Sequence, residues 1–325
     1  MHNETMVLDK HKEKIMKINE ELEKALSSRV RLIEEIGTHT LLGHGKRIRP
    51  LFFVLSCELC NYRKADRYRL SSIFEYLHAA SLLHDDVLDN AEIRRKKPSA
   101  NRFWGNQAAV LEGDFLYSTS SEIAVDSKNL RFLKRLTGTT KQMAEGQVLE
   151  LIHTHDWATP KEAYVEIITA KTAALISAAC ACGAIIAGAG NGAETSLANF
   201  GLSAGIAFQL MDDLLDYTSS EEVFGKPVGK DLREGKVTLP LIYTLPTIDA
   251  PERKRLERLF QDHRASEEDF RCVIGLVRDR GGLDRIRDEA HSYVVKATEH
   301  LSTFPDGPVK KDLLELNQYI IDRKF

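Results

Sequence analysis

The chain is poor in cysteine, poor in proline and without strand-like alternation, and each shortage excludes a class of protein. Five cysteines in 325 residues are too few and too odd a set for a disulfide framework, so a reducing compartment is expected. Cys57 and Cys60 do form a CxxC, and Cys180 and Cys182 a CxC. The first pair lies in an apolar helical run, where thiols act as small core residues, and a zinc reading is set aside. Nine prolines, few of them inside the central helical patterns, favour long uninterrupted helices. No segment alternates with period two in β-branched residues. Charge of one sign is also missing: the net is −3, which gives no global reason to bind nucleic acid. The start, Met1-His2-Asn3-Glu4, lacks the basic-then-apolar layout of a signal peptide, and a cytoplasmic protein is expected. Thr172 to Gly190 is uncharged and as long as a membrane span. It is built largely of Ala, Gly, Ser and Cys, with Lys171 at its entrance. A tightly packed central helix in a soluble bundle is the better reading, with no stable membrane insertion.

What is present is helical periodicity. Ile15, Ile18, Leu22, Leu26, Val30 and Ile33 recur at threes and fours and predict a helix over 5–36. Gly43, Gly45 and Pro50 mark a loop, with Pro50 suited to the first turn of a helix over 50–60. Further helices are expected over 66–90, 107–125, 128–152, 160–190 and 194–217. A glycine- and lysine-rich loop at 225–236 precedes helices from 238 to the end. With 43% hydrophobic residues the chain can build a large core. The expectation is one all-α domain over 1–325.

Two acidic runs stand out, Asp85-Asp86-Val87-Leu88-Asp89 and Asp212-Asp213-Leu214-Leu215-Asp216. The outer aspartates of each are four apart, so they share a helix face one turn apart. Stacked like charges destabilise a helix unless a cation lies between them. Carboxylate oxygens suit Mg²⁺, which usually binds through one or two carboxylates plus substrate phosphates. The alternative, a solvated acidic helix end, fits poorly because Leu82, Leu83, Val87 and Leu88 interrupt the acids. The two motifs sit in similar settings and are expected to face each other across a bundle.

Basic groups accompany them. Arg94 and Arg95 follow the first motif, and arginine's fork matches phosphate geometry. Ahead of it, Gly43 to Pro50 is a glycine loop entering a helix, with Lys46 and Arg49 three apart; a helix N-terminus favours anions. His78 is two turns before Asp85 and shares its face. Gln209 is three before Asp212, and Lys171 with Thr172 opens the Ala-rich helix. Lys226, Lys230 and Lys236 decorate the loop after the second motif, a plausible lid over phosphates.

Gly-Lys-Arg-Ile-Arg-Pro at 45–50, Leu-Leu-His-Asp-Asp-Val-Leu-Asp at 82–89, Arg94-Arg95, Pro98 to Asn101, Gly113-Asp114, Lys171-Thr172, the run from Gln209 to Asp216 and Gly225-Lys226-Pro227 together resemble the trans-type polyprenyl diphosphate synthases. The match runs in order from about 43 to 245. The resemblance implies an all-α bundle of long helices around a central cavity (the isoprenoid synthase type), a homodimer, Mg²⁺ dependence, and condensation of isopentenyl diphosphate with an allylic diphosphate. It implies that Asp85 and Asp89 bind the allylic diphosphate through Mg²⁺ with Asp86 supporting. Asp212, with Asp213 and Asp216, would hold a further Mg²⁺. Arg94, Lys171, Thr172, Gln209, Lys226 and Lys236 would contact the allylic diphosphate. Lys46, Arg49, His78 and Arg95 would form the isopentenyl diphosphate site. Lys96-Lys97 replaces the glycine often found after the arginine pair, and His44 interrupts a glycine run; both bear on loop mobility.

On this reading metals and basic groups stabilise the leaving diphosphate, and the double bond of isopentenyl diphosphate attacks the allylic cation. The released diphosphate takes the proton. Ala80 and Ser81, one turn below Asp85, are small where short-product relatives carry bulky aromatics. They imply an open tunnel and a long product, roughly C30–C50 with octaprenyl as the best single choice, serving quinone side chains. Phe115 and Phe132 are candidate floor residues. Rival readings are a short-chain synthase and a class I terpene cyclase, which needs no second-substrate site. A di-iron carboxylate protein built on Glu75/His78 and Glu150/His153 leaves the aspartate motifs unexplained. A non-catalytic subunit would be expected to lack the six aspartates.

Overall fold

The computed structural model describes residues 7–42, 45–94, 97–218, 228–261 and 264–322. Its helices are α1 (Lys12–Ala25), α2 (Arg31–Leu41), α3 (Ile48–Leu59), α4 (Asp66–Leu88), α5 (Ala100–Trp104), α6 (Asn106–Asp126), α7 (Leu130–His153), α8 (Lys161–Ile168), α9 (Ala174–Ile186), α10 (Asn191–Thr218), α11 (Lys230–Arg233), α12 (Leu239–Thr244), α13 (Ala250–Gln261), α14 (Glu267–Asp279), α15 (Gly282–His300) and α16 (Pro308–Asp322). The expected all-α architecture is what forms. A two-residue antiparallel pairing of β1 (Ile93–Arg94) with β2 (Lys97–Pro98) is added, too short for periodicity to reveal.

Two expected helices are broken. The 5–36 helix divides around Ser27 to Val30. There the Ser28 hydroxyl accepts from Val30 N at 3.1 Å, and Glu34 accepts from Ser28 N at 3.0 Å. Such short side-chain bonds offer the backbone an alternative to the helical ladder. The 160–190 helix is interrupted by a π turn at Thr169–Ala173, which joins α8 to α9. A π turn inserts a wider loop into the helix and re-aims the side chains on it; such turns are frequent at functional sites. Lys171 and Thr172 stand in this one.

The Ala-rich α9 is the hub, packed on α3, α7 and α10. Twelve of its thirteen positions are buried, so it is a core helix, although the continuous helical stretch Lys161–Ile186 that it ends is long and apolar enough to cross a membrane. Its small residues permit backbone-close packing: a Cβ on Gly183 would lie 2.6 Å from Ser56 Cβ and 2.9 Å from Cys57 N. Burial raises the thiols as well, Cys60 to about 11 and Cys180 to about 12. Protonated thiols are poor zinc ligands. Around this hub, α4 lies along α6, and α10 lies between α9 and α15. The Tyr76 hydroxyl donates to Leu22 O at 2.6 Å and ties α1 to α4.

Candidate active site

A cavity of about 930 Å³ opens between α4, α7, the π turn and α10. Asp85 reaches it from α4, and Asp212 and Asp216 from α10. Lys46, Arg49, His78, Arg94, Lys171, Thr172 and Gln209 also line it, as do Ala80 and Ser81. Eight of the ten predicted basic and polar substrate groups are thus within the described residues, seven on this wall. Arg95 and Lys226 lie outside the described residues, together with His44 and Lys96.

The π turn delivers Lys171 because α7 approaches it closely. A Cβ on Gly146 would fall 2.9 Å from Lys171 N. Lys171 Nζ lies 2.5 Å from Glu150 and 3.7 Å from Asp85. Lys236 forms the matching bridge on the other side, 3.2 Å from Asp89 and 2.8 Å from Glu234. Burial alone would lower Lys236; Glu150, Asp231, Glu234 and Asp89 outweigh it and raise its pKa. Lys236 itself borders a smaller neighbouring cavity of about 130 Å³ rather than the large one.

Not every motif aspartate points into the main cavity. Asp86 is buried and gripped by Arg94, whose Nε and Nη2 donate to its two oxygens at 2.6 Å each. That places Asp86 as a support and fixes Arg94 at the rim. Asp213 departs from its expected place among the metal ligands. It is buried beside the smaller cavity, accepting from the Tyr164 hydroxyl at 2.5 Å and from Gln209 Nε2 at 2.8 Å. Thr172 in turn donates to Gln209 Oε1 at 2.8 Å. This chain from Tyr164 through Asp213 and Gln209 fixes Thr172 on the cavity wall. Asp216 lines the cavity but accepts from Lys230 N at 3.0 Å and Asp231 N at 3.1 Å, so it also anchors α11.

Burial first, and neighbouring charge second, shift these acids upward. Burial raises Asp85, with Lys171 opposing. Burial and then Asp231 push Asp216 up to about 7, and the same two causes raise Asp213. A site in which desolvated carboxylates repel one another is stabilised by added cations. Among the described residues no three acids, histidines or cysteines are gathered round one point as a metal cage. The carboxylate oxygens that Asp85, Asp212 and Asp216 present to the cavity are hard donors, which fit a cation that takes a few carboxylates and completes its shell with phosphate and water, as Mg²⁺ does.

Lys46 and Arg49, expected to bind isopentenyl diphosphate, stand just before α3 and in its first turn. Arg49 lies over the Phe208 ring at 5.8 Å and Lys46 over Tyr319 of α16 at 5.4 Å. Arg47 between them is structural, buried and paired with Glu75 at 2.7 Å. That pair, with the Glu150–Lys171 bridge, consumes both glutamates of the di-iron alternative. Below Asp85, the Ser81 hydroxyl is turned onto His78 O at 2.8 Å and leaves a small lip. Phe132 is buried in the core and Phe115 packs against it; neither lines the cavity. Its far wall is instead Tyr117, Thr140, Met143, Ala144 and Val148.

Sequence reading missed Tyr164 and Asp231, and placed Glu150 only in the di-iron alternative rather than beside Lys171. Asp231 carried a signal, an acid set between Lys230 and Lys236. Tyr164, six residues and a π turn from the nearest motif, carried none.

A family model described as polyprenyl synthetase matches residues 30–277. The octaprenyl diphosphate synthase of Escherichia coli is 35% identical over 306 residues, covering 94% of each chain. The geranyl-diphosphate-specific all-trans-nonaprenyl-diphosphate synthase of Rhodobacter capsulatus is 36% identical over 305 residues, 93% of this chain and 92% of that one. Among solved structures, a polyprenyl synthase from Caulobacter crescentus complexed with calcium and isoprenyl diphosphate superposes with a TM-score of 0.93 at 35% identity, covering 98% and 97% of the two chains.

Proposed function

The chain belongs to the polyprenyl synthetase family and is a prenyltransferase; from that premise we propose that it adds isopentenyl diphosphate successively to an allylic diphosphate, in the presence of Mg²⁺, to make a long-chain trans-polyprenyl diphosphate. The observation that carries this reading is one cavity holding Asp85 and Asp212 on different walls, Lys46, Arg49 and His78 beside them, and small Ala80 and Ser81 beneath.

Asp85, Asp89, Asp212 and Asp216 would hold the metal. Bound there, Mg²⁺ supplies charge neutralisation for the departing diphosphate. Lys171, Thr172, Gln209 and Lys236 orient the allylic diphosphate, with Arg94, and Lys226 is proposed to join them. Lys46, Arg49, His78 and Arg95 hold isopentenyl diphosphate so that its double bond meets the allylic carbon, an orientation effect that lowers the barrier. Leu77, Leu215, Phe208 and Met143 on the cavity wall exclude water from the allylic cation. The proton lost in forming the new double bond passes to the released diphosphate.

The tail grows past Ala80 and Ser81 towards Met143 and Val148. This open path favours a product of roughly C30–C50, octaprenyl being the first choice, for quinone side chains in a cytoplasmic enzyme. A homodimer is supported by the exposed apolar residues of α6 and α7, Leu111, Val125, Leu130, Leu151 and Ile152 among them. Purified protein incubated with farnesyl diphosphate, isopentenyl diphosphate and Mg²⁺ tests the reading by product mass. Long polyprenyl diphosphates are expected. Hydrocarbon released from farnesyl diphosphate alone, or products ending at the first additions, would overturn it.

A further inference from the structure

Each outer aspartate of the first acidic motif shares a lysine with a glutamate, and in both cases the glutamate is the nearer partner. Lys171 Nζ lies 2.5 Å from Glu150 and 3.7 Å from Asp85. Lys236 Nζ lies 2.8 Å from Glu234 and 3.2 Å from Asp89. The six side chains are between 14% and 22% exposed, so solvent screens these pairs only in part.

The backbone sets both arrangements. Glu150 is one turn beyond Gly146 on α7 and shares its face. With no side chain at Gly146 that face comes close to the π turn: a Cβ there would lie 2.7 Å from Ala170 Cβ. Glu150 therefore meets Lys171 as the lysine leaves the turn, and Gln147 Nε2 approaches the same carboxylate from within α7 at 3.4 Å. On the other side, Gly235 in the left-handed conformation (φ 78°) reverses the chain after α11. Lys236 N then donates to Asp231 O at 2.8 Å. The turn brings Lys236 back beside Glu234, which also holds Lys230 at 2.6 Å. Two glutamates from separate elements thus stand in the same relation to the two ends of one motif.

We propose that Glu150 and Glu234 are positioning residues that draw Lys171 and Lys236 away from Asp85 and Asp89, so that both motif carboxylates stay open to a divalent cation. The inference rests on the reading of Asp85 and Asp89 as metal ligands. An ammonium group and a metal ion compete for the same carboxylate oxygens. A lysine with no glutamate beside it takes the nearest remaining carboxylate, because a charge-assisted hydrogen bond is about twice as strong as a neutral one. Moving the Lys171 ammonium from 3.7 Å to bonding distance of Asp85, at the effective dielectric constant of a protein site, lowers metal affinity about tenfold. The glutamates keep both lysines charged and at hand for a diphosphate while leaving the aspartates available.

The test is a double-mutant cycle on the binding of Mn²⁺ alone, the free ion being counted by its paramagnetic resonance. Glu150→Gln keeps the shape of the side chain and removes its charge. It should weaken Mn²⁺ binding about tenfold with Lys171 present and no more than about twofold in the Lys171→Gln background, the difference being the coupling through the lysine. A loss of the same size in both backgrounds overturns the proposal, because Glu150 then acts by its charge alone. Unchanged affinity with Lys171 present overturns it as well. Wild-type Mn²⁺ binding that Asp85→Asn leaves intact refutes the metal-ligand reading instead. Should Glu150→Gln lose its helical circular dichroism, Glu234→Gln with Lys236→Gln and Asp89→Asn runs the same cycle on the other arm and decides by the same outcomes.

Discussion

Glu112 offers a quantitative check on the packing that frames the cavity. It lies on α6 beneath α2, 1% exposed, with one oxygen 3.0 Å from where a Cβ on Gly37 would stand. Neither oxygen has a hydrogen-bond partner among the described residues. Burial pushes its carboxyl from 4.5 up to about 8. The folded state therefore keeps a proton that the unfolded chain releases. Its contribution to stability is intact below pH 4.5, declines as pH rises from there to about 8, and is flat above. At about 1.4 kcal/mol per pH unit that decline totals about 4–5 kcal/mol. For a chain of this length, unfolding entropy of about 2 cal/mol/K per residue converts it to about 6–7 °C in melting temperature. Glu112→Gln keeps the shape and removes the titration. Unfolding of wild type and variant at one protein concentration should nearly coincide at pH 4.5. By pH 9 the variant should be the more stable by several kcal/mol. Curves that track each other across that range would refute the buried, unpartnered carboxyl.

Other consequences concern the site directly. Asp212→Asn keeps the volume but removes a cavity-facing charge. It should lower kcat by about two to three orders of magnitude, the usual cost of losing one transition-state electrostatic contact, and raise the Mg²⁺ concentration needed for half activity; an unchanged Mg²⁺ titration would count against its role. Tyr164→Phe removes the 2.5 Å donor to Asp213, loosening Gln209 and Thr172. KM for the allylic diphosphate should rise more than kcat falls, with about 1–3 kcal/mol of stability lost. Equal kinetics in the variant would reduce the chain to a structural one. Gly183→Val forces a side chain into the α3–α9 contact and should destabilise by about 1–3 kcal/mol or more in denaturant titration; a neutral effect would mean the helices can part.

Most of the architecture was legible because long amphipathic helices announce themselves through period and punctuation. The boundaries of α4, α6, α7 and α10 lie within two or three residues of expectation. What periodicity could not convey were local competitions: the Ser28 and Glu34 bonds that end α1, and the π turn that aims Lys171. The site residues were legible where chemistry is concentrated in a motif. Within a motif, direction was not. Asp85 and Asp86, or Asp212 and Asp213, are adjacent in sequence but about 100° apart on a helix. One of each pair enters the cavity, and the other is bound by Arg94 or by Tyr164 and Gln209. Phe115 and Phe132, the expected floor residues, do not line the cavity, because which neighbouring helix faces α4 across a cavity is a tertiary fact.

A single cavity runs from the paired acidic motifs down past Ala80 and Ser81. Product mass from Ala80→Phe, measured beside wild type with farnesyl diphosphate, isopentenyl diphosphate and Mg²⁺, tests it most directly. A phenyl ring one turn below Asp85 should block the path and leave only the first elongation products, while the wild type makes long polyprenyl diphosphates. The wild-type chain length from the blocked variant would mean that the tail leaves the site by another route, and that this cavity is not its path.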